Sequence, residues 1–334
     1  MRAIRICDGT VSVDDVPEPV AGPRDVIVRV QACGICGSDL SYVKRGGASH
    51  HRGAPMALGH EMSGVVVEAG ADVRTVAVGD RVVVHPGDDR TGRTGNGAPA
   101  GGLAELLPVR DADDGRILHV PADMDLTYAA LAEPVAVGIN AAERLELPVG
   151  AKVAVIGAGP VGLAALAALL DAGITSVVVV EPGATRRAIA LELGAEAALD
   201  PSDPALWGTL AELHGMHPEA RTPLTQGYVE ASGQPSMLAE IIGHAAPRAR
   251  ISMASVHLED VPVSMLLVMM KELEIRGAFE YPERFDAGLD LLARRDLRPM
   301  LTDLLSLEEV AAAMADPAGL RTSGKTMAVL DPAG

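Results

Sequence analysis

The sequence predicts a two-domain α/β protein, in which a small twisted β domain precedes a doubly wound parallel sheet. The chain has 334 residues, more than one hydrophobic core usually supports. In its first part, short β-branched runs are broken by Gly, Pro and Asp, as at Val26–Val30, Gly64–Glu68 and Arg81–Val84. Such runs are typical of a small β domain. After Gly150 the pattern becomes strand, glycine turn, apolar helix and strand, which indicates a parallel sheet with crossover helices.

Individual segments of the second pattern can be assigned to elements. We predict a strand, a turn, a helix and a second strand at Lys152–Ile156, Gly157–Gly162, Leu163–Asp171 and Ser176–Glu181. The Ala-rich stretch Thr127–Arg144 predicts one helix that joins the two domains. Asp88–Gly102, rich in Gly, Asp and Arg, is typical of a loop.

Composition and charge exclude several classes of protein. Apolar residues make up 48% and charged residues 22%, which is typical of a globular chain. The formal net charge of −17 repels phosphate backbones, so nucleic acid is not an expected partner. Asp8 and Gly9 interrupt any apolar segment after Arg5, and apolar stretches such as Met265–Met270 are too short to span a bilayer. We therefore expect a cytoplasmic protein without a membrane partner.

A glycine motif stands between the predicted strand and helix of the second domain and fits the dinucleotide fingerprint G-x-G-x-x-G. The first glycine allows the tight turn, the second lets the backbone approach a pyrophosphate, and the third lets helix and strand pack closely. The helix N-terminus supplies N–H donors to the phosphates. The motif residues, in order, are Gly157, Ala158, Gly159, Pro160, Val161 and Gly162.

An acidic residue at the end of the next strand predicts which dinucleotide binds. Glu181 stands where a carboxylate would take the adenosine ribose hydroxyls, and it would repel a 2′-phosphate. NAD is therefore expected, and NADP less so, although Arg186 and Arg187 lie near enough in sequence to meet a phosphate. The alternative is a tight strand–helix turn without a ligand and a solvated acid.

A cysteine pair, Cys33 and Cys36, resembles half of a structural zinc knuckle, but the chain has only one further cysteine, Cys7. A catalytic site with few protein ligands and an open position is the alternative. His60-Glu61 and Glu133 are the candidate ligands to complete it. Cys33 and Cys7 are interpreted as buried thiols. His50, His51, His214 and His217 are interpreted as solvated side chains.

In this order, these motifs resemble the zinc-containing medium-chain dehydrogenases, over nearly the whole chain. The shared segments are Cys33–Asp39, Gly59–Glu61 with Gly64, Gly79–Val82, Glu133-Pro134 with Val137-Gly138, the glycine motif, and Gly324-Lys325. Glu133-Pro134 and Arg276–Phe279 are similar to the polyol branch, the sorbitol and butanediol dehydrogenases. The resemblance implies a GroES-like catalytic domain over residues 1–137, a Rossmann NAD-binding domain over 138–279, and a return to the catalytic domain over 280–334.

The resemblance also implies roles for single residues. Cys36 and His60 would bind one catalytic zinc per subunit, with Glu61 and Glu133 as ligands or as partners exchanging with water. Ser38 would relay the substrate proton, Asp39 would orient His60, and Tyr42 would line the substrate cleft. Arg186 and Lys325 would contact the cofactor, and Phe279 and Glu280 would face the substrate from the cofactor side.

Three departures from the family pattern change the expectations. The four-cysteine lobe of many relatives is reduced to Asp88–Gly102, so no structural zinc is expected. Ser41 replaces a histidine that serves many relatives as the outer proton-relay group. In the polyol enzymes the position of Glu280 is typically an arginine, so a less hydroxylated, partly apolar or amino alcohol is expected rather than sorbitol.

The expected activity is reversible oxidation of a secondary alcohol or vicinal diol to a ketone. A metal-free quinone or enoyl reductase, a zinc hydrolase and a non-catalytic binding relative remain as alternatives. The family resemblance implies a homodimer or homotetramer. Met265, Met269 and Met270 are interpreted as core or subunit-contact residues, with a substrate lining as the alternative.

Overall fold

The structure is a computed structural model, and it describes residues 1–48, 53–87 and 93–330. His50 and His51 lie outside the described residues, as does part of the predicted loop Asp88–Gly102. The chain forms two compact units, Met1–Glu133 with Leu301–Gly334, and Pro134–Met300.

These units differ from the domain limits expected from the sequence, because residues 280–300 belong to the second unit. The side-chain amide of Asn140 donates to the carbonyl oxygens of Phe279 at 3.1 Å and Glu280 at 3.3 Å. Arg294 pairs with Asp171 at 2.9 Å. Both contacts hold the segment after residue 279 to the second unit.

The first unit is built mostly from antiparallel strands and short helices, and the strands Leu301–Leu305 and Lys325–Val329 pair in parallel. Two sheets form, one in the order β2-β1-β4 and one in the order β15-β16-β3-β5-β6-β8, with β7 also paired to β3. The elements are β1 (Arg2–Cys7), β2 (Thr10–Asp15), β3 (Val26–Gly34), α1 (Gly37–Arg45), β4 (Met56–Ala57), β5 (Glu61–Ala69), β6 (Arg81–Val84), β7 (Leu106–Val109), β8 (Ile117–His119) and α2 (Leu126–Ala129), then, after the second unit, β15 (Leu301–Leu305), α10 (Leu307–Ala315) and β16 (Lys325–Val329).

The second unit is a parallel sheet with crossover helices. Its strands run in the order β11-β10-β9-β12-β13-β14, the doubly wound order of a Rossmann fold. Its elements, with α3 starting just before the unit, are α3 (Ala132–Glu143), β9 (Lys152–Ile156), α4 (Pro160–Asp171), β10 (Ser176–Val180), α5 (Ala184–Glu192), β11 (Ala197–Leu199), α6 (Leu206–His214), β12 (Gly227–Glu230), α7 (Pro235–His244), β13 (Arg250–Met253), α8 (Met265–Met270), β14 (Glu274–Gly277) and α9 (Ala287–Arg294). The predicted fold class is confirmed.

The central strand of the first unit, β3, brings distant segments together. It is almost wholly buried, which suits its run of Val, Ile and Ala. Its last residue, Gly34, lies opposite Glu61 of β5 on one side and Met327 of β16 on the other. The chain segments that flank these three residues therefore meet at the carboxyl end of β3.

The predicted single helix Thr127–Arg144 is wrong, because the structure divides it into α2 and α3 with a break at residues 130–131. Pro134 lies in the first turn of α3 and has no N–H to donate to a carbonyl in the preceding turn. A proline is tolerated near a helix start, so the second helix begins just before it.

The interpretation of His214 as a solvated side chain is also wrong. The residue is fully buried, and its Nδ1 lies 2.8 Å from the hydroxyl of Thr225. Burial lowers the pKa of His214 to about 4.

Within the described residues, no helix is both long and apolar enough to cross a membrane.

Candidate metal and dinucleotide sites

Three potential ligand side chains meet at the carboxyl end of β3. Cys36 stands at the N-cap of α1, His60 directly precedes β5, and Glu61 is the first residue of β5. The ligand atoms of Cys36, His60 and Glu61 lie within 4.8 Å of one another. The antiparallel register of β3 and β5 produces this meeting, because it pairs Gly34 with Glu61.

Asp39 holds the two ligand-bearing segments together. It is fully buried, and its Oδ2 accepts a hydrogen bond from the backbone N–H of Cys36 at 2.9 Å. Its Oδ1 accepts one from the N–H of Gly59 at 3.2 Å and lies 3.8 Å from Nδ1 of His60. Asp39 thus joins the backbones next to Cys36 and His60, and its expected orientation of His60 stays a prediction.

Lys325 completes the buried cluster from β16. It is 1% exposed, and its ammonium pairs with the carboxylate of Glu61 and donates to the carbonyl oxygen of Ile35 at 2.8 Å. A Cβ at Gly34 would lie 1.9 Å from Glu61 Oε2 and 2.6 Å from Lys325 Cε. The ion pair therefore needs glycine at residue 34. The ammonium of Lys325 is thus engaged by two groups of the first unit, and its expected cofactor contact stays a prediction.

The charges of the cluster are mostly negative. Burial lowers the pKa of His60, but the charges of Asp39, Cys36 and Glu133 outweigh it and raise that pKa well above its usual value. Burial also opposes the charge of Lys325, whose pKa is nevertheless raised by Glu61 and Cys36. Glu133 is buried near enough to act on both groups but lies outside the 4.8 Å group. A bound cation would offset this excess of negative charge.

The donor set suits zinc. Thiolate, imidazole and carboxylate are the ligand types that zinc takes in proteins, and three protein ligands are typical of sites with an open position. Nδ1 of His60 is buried and has no hydrogen-bond partner among the described residues.

Cys33, which shares the motif, is fully buried, and burial raises the pKa of its thiol well above the usual range. Cys33 thus lies in the core, as interpreted, whereas Cys7 is only half-buried.

Asn96 is a residue that the sequence analysis missed. The hydroxyl of Ser38 donates to its Oδ1 at 3.1 Å, and the hydroxyl of Tyr42 donates to its carbonyl oxygen at 3.2 Å. Asn96 has a φ of 48°, in the left-handed region that asparagine tolerates better than most residues. The expected proton relay and the expected cleft residue are therefore joined through one loop residue.

The glycine turn of the second unit has the geometry of a phosphate-binding loop. Gly157 has a φ of 99°, and a Cβ there would lie 2.8 Å from the carbonyl oxygen of Ala231. A Cβ at Gly162 would lie 1.9 Å from the carbonyl oxygen of Gly157. At Gly159, the N-cap of α4, a Cβ would meet only Nη1 of Arg186, at 4.0 Å. The turn and the packing thus need glycine at 157 and 162, while the space beside Gly159 is open to a ligand.

Glu181 reaches back to the glycine turn from the end of β10. Its Oε2 accepts from the N–H of Ala158 at 2.8 Å and its Oε1 from the N–H of Gly183 at 2.9 Å. Arg186 is half-buried, and burial lowers its pKa although the charge of Glu181 acts to raise it. Arg187 pairs with Asp200 at 3.0 Å. Glu181 and Arg186 therefore lie beside the turn, while Nη1 of Arg187 also donates to the carbonyl oxygens of Glu181 and Pro182, both at 2.6 Å.

Phe279 and Glu280 follow β14 at the carboxyl edge of the same sheet. The side chain of Phe279 is 74% exposed, and Glu280 has a φ of 54°. Asn140 anchors both carbonyl oxygens, as described above. The backbone at this edge is therefore fixed.

Two protein-family models match parts of this chain. Residues 22–122 match the model of the alcohol dehydrogenase GroES-like domain, and residues 160–294 match that of the zinc-binding dehydrogenases. Sorbitol dehydrogenase of Gallus gallus is 31% identical, over 91% of this chain and 89% of its own length.

Two solved structures show the same architecture over nearly the whole chain. The 2R,3R-butanediol dehydrogenase of Bacillus subtilis has a TM-score of 0.87 at 27% identity and covers 99% of both chains. A Sinorhizobium meliloti protein described as a zinc-binding dehydrogenase, bound to NADP, has a TM-score of 0.86 at 27% identity and covers 98% of both chains.

Replacing Lys325 by methionine should destabilise the first unit strongly. The change leaves the Glu61 carboxylate buried without its cation, and breaking a buried pair in this way costs about 3 to 5 kcal/mol. The free energy of unfolding of the metal-free protein, measured in urea by circular dichroism, checks this. Lys44→Met, at an exposed position of α1, should change it by less than about 0.5 kcal/mol. Adding Glu61→Gln to Lys325→Met should restore part of the loss; equal stability of Lys325→Met and wild type would contradict the buried pair.

Proposed function

Because this chain belongs to the zinc-binding alcohol dehydrogenase family, we propose that it oxidises a secondary alcohol or vicinal diol to a ketone with zinc and NAD. Its relatives are oxidoreductases that act on alcohols and polyols. The observation that carries the proposal for this chain is the close group of half-buried Cys36 with buried His60 and Glu61, beside which negative charge accumulates. Zinc bound there would act as a Lewis acid on the substrate hydroxyl, and NAD would take the hydride.

The residues around the donor set would position the substrate and move its proton. Ser38 would take the hydroxyl proton, since its own hydroxyl is already oriented by Asn96 at 3.1 Å. An amide oxygen accepts a hydrogen bond but does not carry a proton onward, so water would complete the relay that Ser41 does not supply. Glu133 would exchange with water as a partner of the metal, because its charge acts on His60 from outside the ligand group.

The alternatives fit the chain less well. A metal-free quinone or enoyl reductase has no use for a thiol, an imidazole and a carboxylate within 4.8 Å of one another. A zinc hydrolase has no use for the open glycine turn beside Glu181, and a binding protein needs neither site. Zinc content, NADH fluorescence enhancement and alcohol turnover, measured on one purified sample, distinguish the proposed dehydrogenase from these three alternatives.

Purified protein should contain about one zinc per chain, since Cys36, His60 and the glutamates form the proposed catalytic set and no second cysteine cluster exists in the sequence. Cys36→Ala and His60→Ala should each abolish turnover and lower the zinc content. Both variants should keep NADH binding, because the glycine turn belongs to the other unit. Two zinc ions per chain, or full activity after either substitution, would contradict the proposal.

NAD should be preferred over NADP, because Glu181 would face a 2′-phosphate as a like charge. The Sinorhizobium meliloti relative bound to NADP makes this a sharp test. Glu181→Ala should narrow or reverse the preference, helped by the nearby guanidinium of Arg186, whereas Glu192→Ala, at an exposed position of α5, should leave it unchanged. The ratio of kcat/KM for the two cofactors measures the preference, and a wild-type enzyme that works better with NADP would refute the role of Glu181.

Sorbitol should not be the best substrate, although sorbitol dehydrogenases are among the relatives. A carboxylate at Glu280 accepts hydrogen bonds where an arginine only donates them, so a contact tuned to one does not serve the other. We expect a less hydroxylated, partly apolar or amino-substituted secondary alcohol. A panel of sorbitol, xylitol, 2,3-butanediol, amino alcohols and cyclic secondary alcohols, assayed with NAD, checks this. The highest kcat/KM on sorbitol would show that Glu280 does not discriminate.

The chain is proposed to act as a homodimer or homotetramer. Large apolar side chains of α8 are exposed, namely Met265, Leu266, Met269 and Met270, each above 60%. Exposed apolar surface of this kind favours a subunit contact over a core or substrate-lining role.

A reducing compartment such as the cytoplasm suits a site whose thiolate must stay free to bind zinc.

A further inference from the structure

A buried polar cluster surrounds Glu230 at the carboxyl end of β12. Glu230 is fully buried, and its Oε1 accepts from the hydroxyl of Ser232 at 2.5 Å and from the N–H groups of Ser232 at 2.9 Å and Gly233 at 3.2 Å. Its Oε2 accepts from the hydroxyl of Ser255 and lies 3.0 Å from Nε2 of His257. Both carboxylate oxygens are thus saturated by the loops that follow β12 and β13.

His257 is the member of this cluster that folding alone does not explain. Its side chain is 9% exposed, and its Nδ1 is buried without a hydrogen-bond partner among the described residues. The hydroxyl proton of Ser255 goes to Glu230, and a carboxylate only accepts, so Nε2 of His257 carries the ring proton. In the neutral ring Nδ1 is then an acceptor without a donor, which is costly in a buried group.

The cluster lies at the point of the sheet where a dinucleotide would cross. Strand order reverses between β9 and β12, and ligands of such sheets bind beyond the carboxyl ends of the strands at this point. A Cβ at Gly157 would lie 2.9 Å from the backbone nitrogen of Ser232, so the cluster begins directly beside the glycine turn. Glu181 directly follows β10, on the other side of β9. A ligand with its adenosine at Glu181 would place its second half over β12 and β13.

We propose that His257, held in one tautomer by Glu230, binds the nicotinamide-riboside half of the cofactor through Nδ1. The assignment rests on the proposed function, because it presumes a dinucleotide. A ribose hydroxyl or the carboxamide N–H₂ group supplies the donor that Nδ1 lacks. His257 is in this account a cofactor-binding residue, and Glu230 and Ser255 are positioning residues that act through it.

His257→Gln tests the assignment, because glutamine keeps an N–H near Nε2 for Glu230 and has no atom at the position of Nδ1. Binding of NADH and of ADP, which occupies only the adenosine half, is measured by titration calorimetry. The variant should bind NADH about tenfold more weakly, as expected for one lost hydrogen bond. Its affinity for ADP should stay within about twofold of wild type, as should both affinities of His217→Gln, a histidine ahead of the amino end of β12.

The outcomes separate the inference from the function on which it rests. A wild-type protein that binds no NADH would refute both. Wild-type binding of NADH with unchanged affinity in His257→Gln would refute the inference alone. If His257→Gln also loses ADP binding, its fold has changed. The assignment is then tested with His257→Asn, which keeps a polar atom near the position of Nδ1. Retention of NADH affinity by His257→Asn within about threefold supports the assignment, and loss of NADH and ADP affinity together overturns it.

Discussion

The accumulation of buried charge at the carboxyl end of β3 constrains the first unit more than any other feature. Glu61 and Lys325, each 1% exposed, form an ion pair over a residue without a side chain, Gly34. Buried ions are costly unless they are paired and bonded, so the strand register that creates the pair is fixed by it. Cys36 and His60 join the same place because their segments flank the paired residues. A cation would complete a charge balance that the protein side chains leave negative.

In the second unit, one chain segment serves two purposes where the strand order reverses between β9 and β12. Gly157 must be glycine because the chain after β12 passes against it, and that same segment carries Ser232 of the Glu230 cluster. The packing that shapes the glycine turn therefore also positions the polar groups that follow β12. On the β10 side of the turn, Glu181 accepts a hydrogen bond from the N–H of Ala158.

How much of the fold and of the candidate sites the sequence predicts depends on how far apart in the chain the contacting residues are. The strand, glycine turn and helix around Gly157 are local, and the structure confirms them at β9 and α4. Donor chemistry predicts Cys36, His60, Glu61 and Glu133 as candidate ligands, and the family resemblance implies the same set, but spacing alone does not reveal the strand register that brings Cys36, His60 and Glu61 together. The ion pair of Lys325 with Glu61 depends on the pairing of β16 with β3, which links residues almost a chain length apart. No local pattern contains that pairing.

Other misses had local signals. Pro134 marks the break between α2 and α3, and an asparagine between two glycines is a common left-handed turn, which describes Asn96. His257 had no such signal. Its importance comes from Glu230, which ends a neighbouring strand, and from a tautomer fixed by Ser255.

The central claim is that Cys36, His60 and Glu61 together hold a metal ion. Cobalt(II) tests it most directly, because thiolate ligation gives a charge-transfer absorption that carboxylate or imidazole ligation alone does not. Titration of the metal-free protein should saturate this absorption at about one cobalt per chain, the stoichiometry of a single catalytic site, and Cys36→Ser should lose it while Cys33→Ser keeps it. Stoichiometric binding without the thiolate absorption, or the same absorption in Cys36→Ser, would contradict the account.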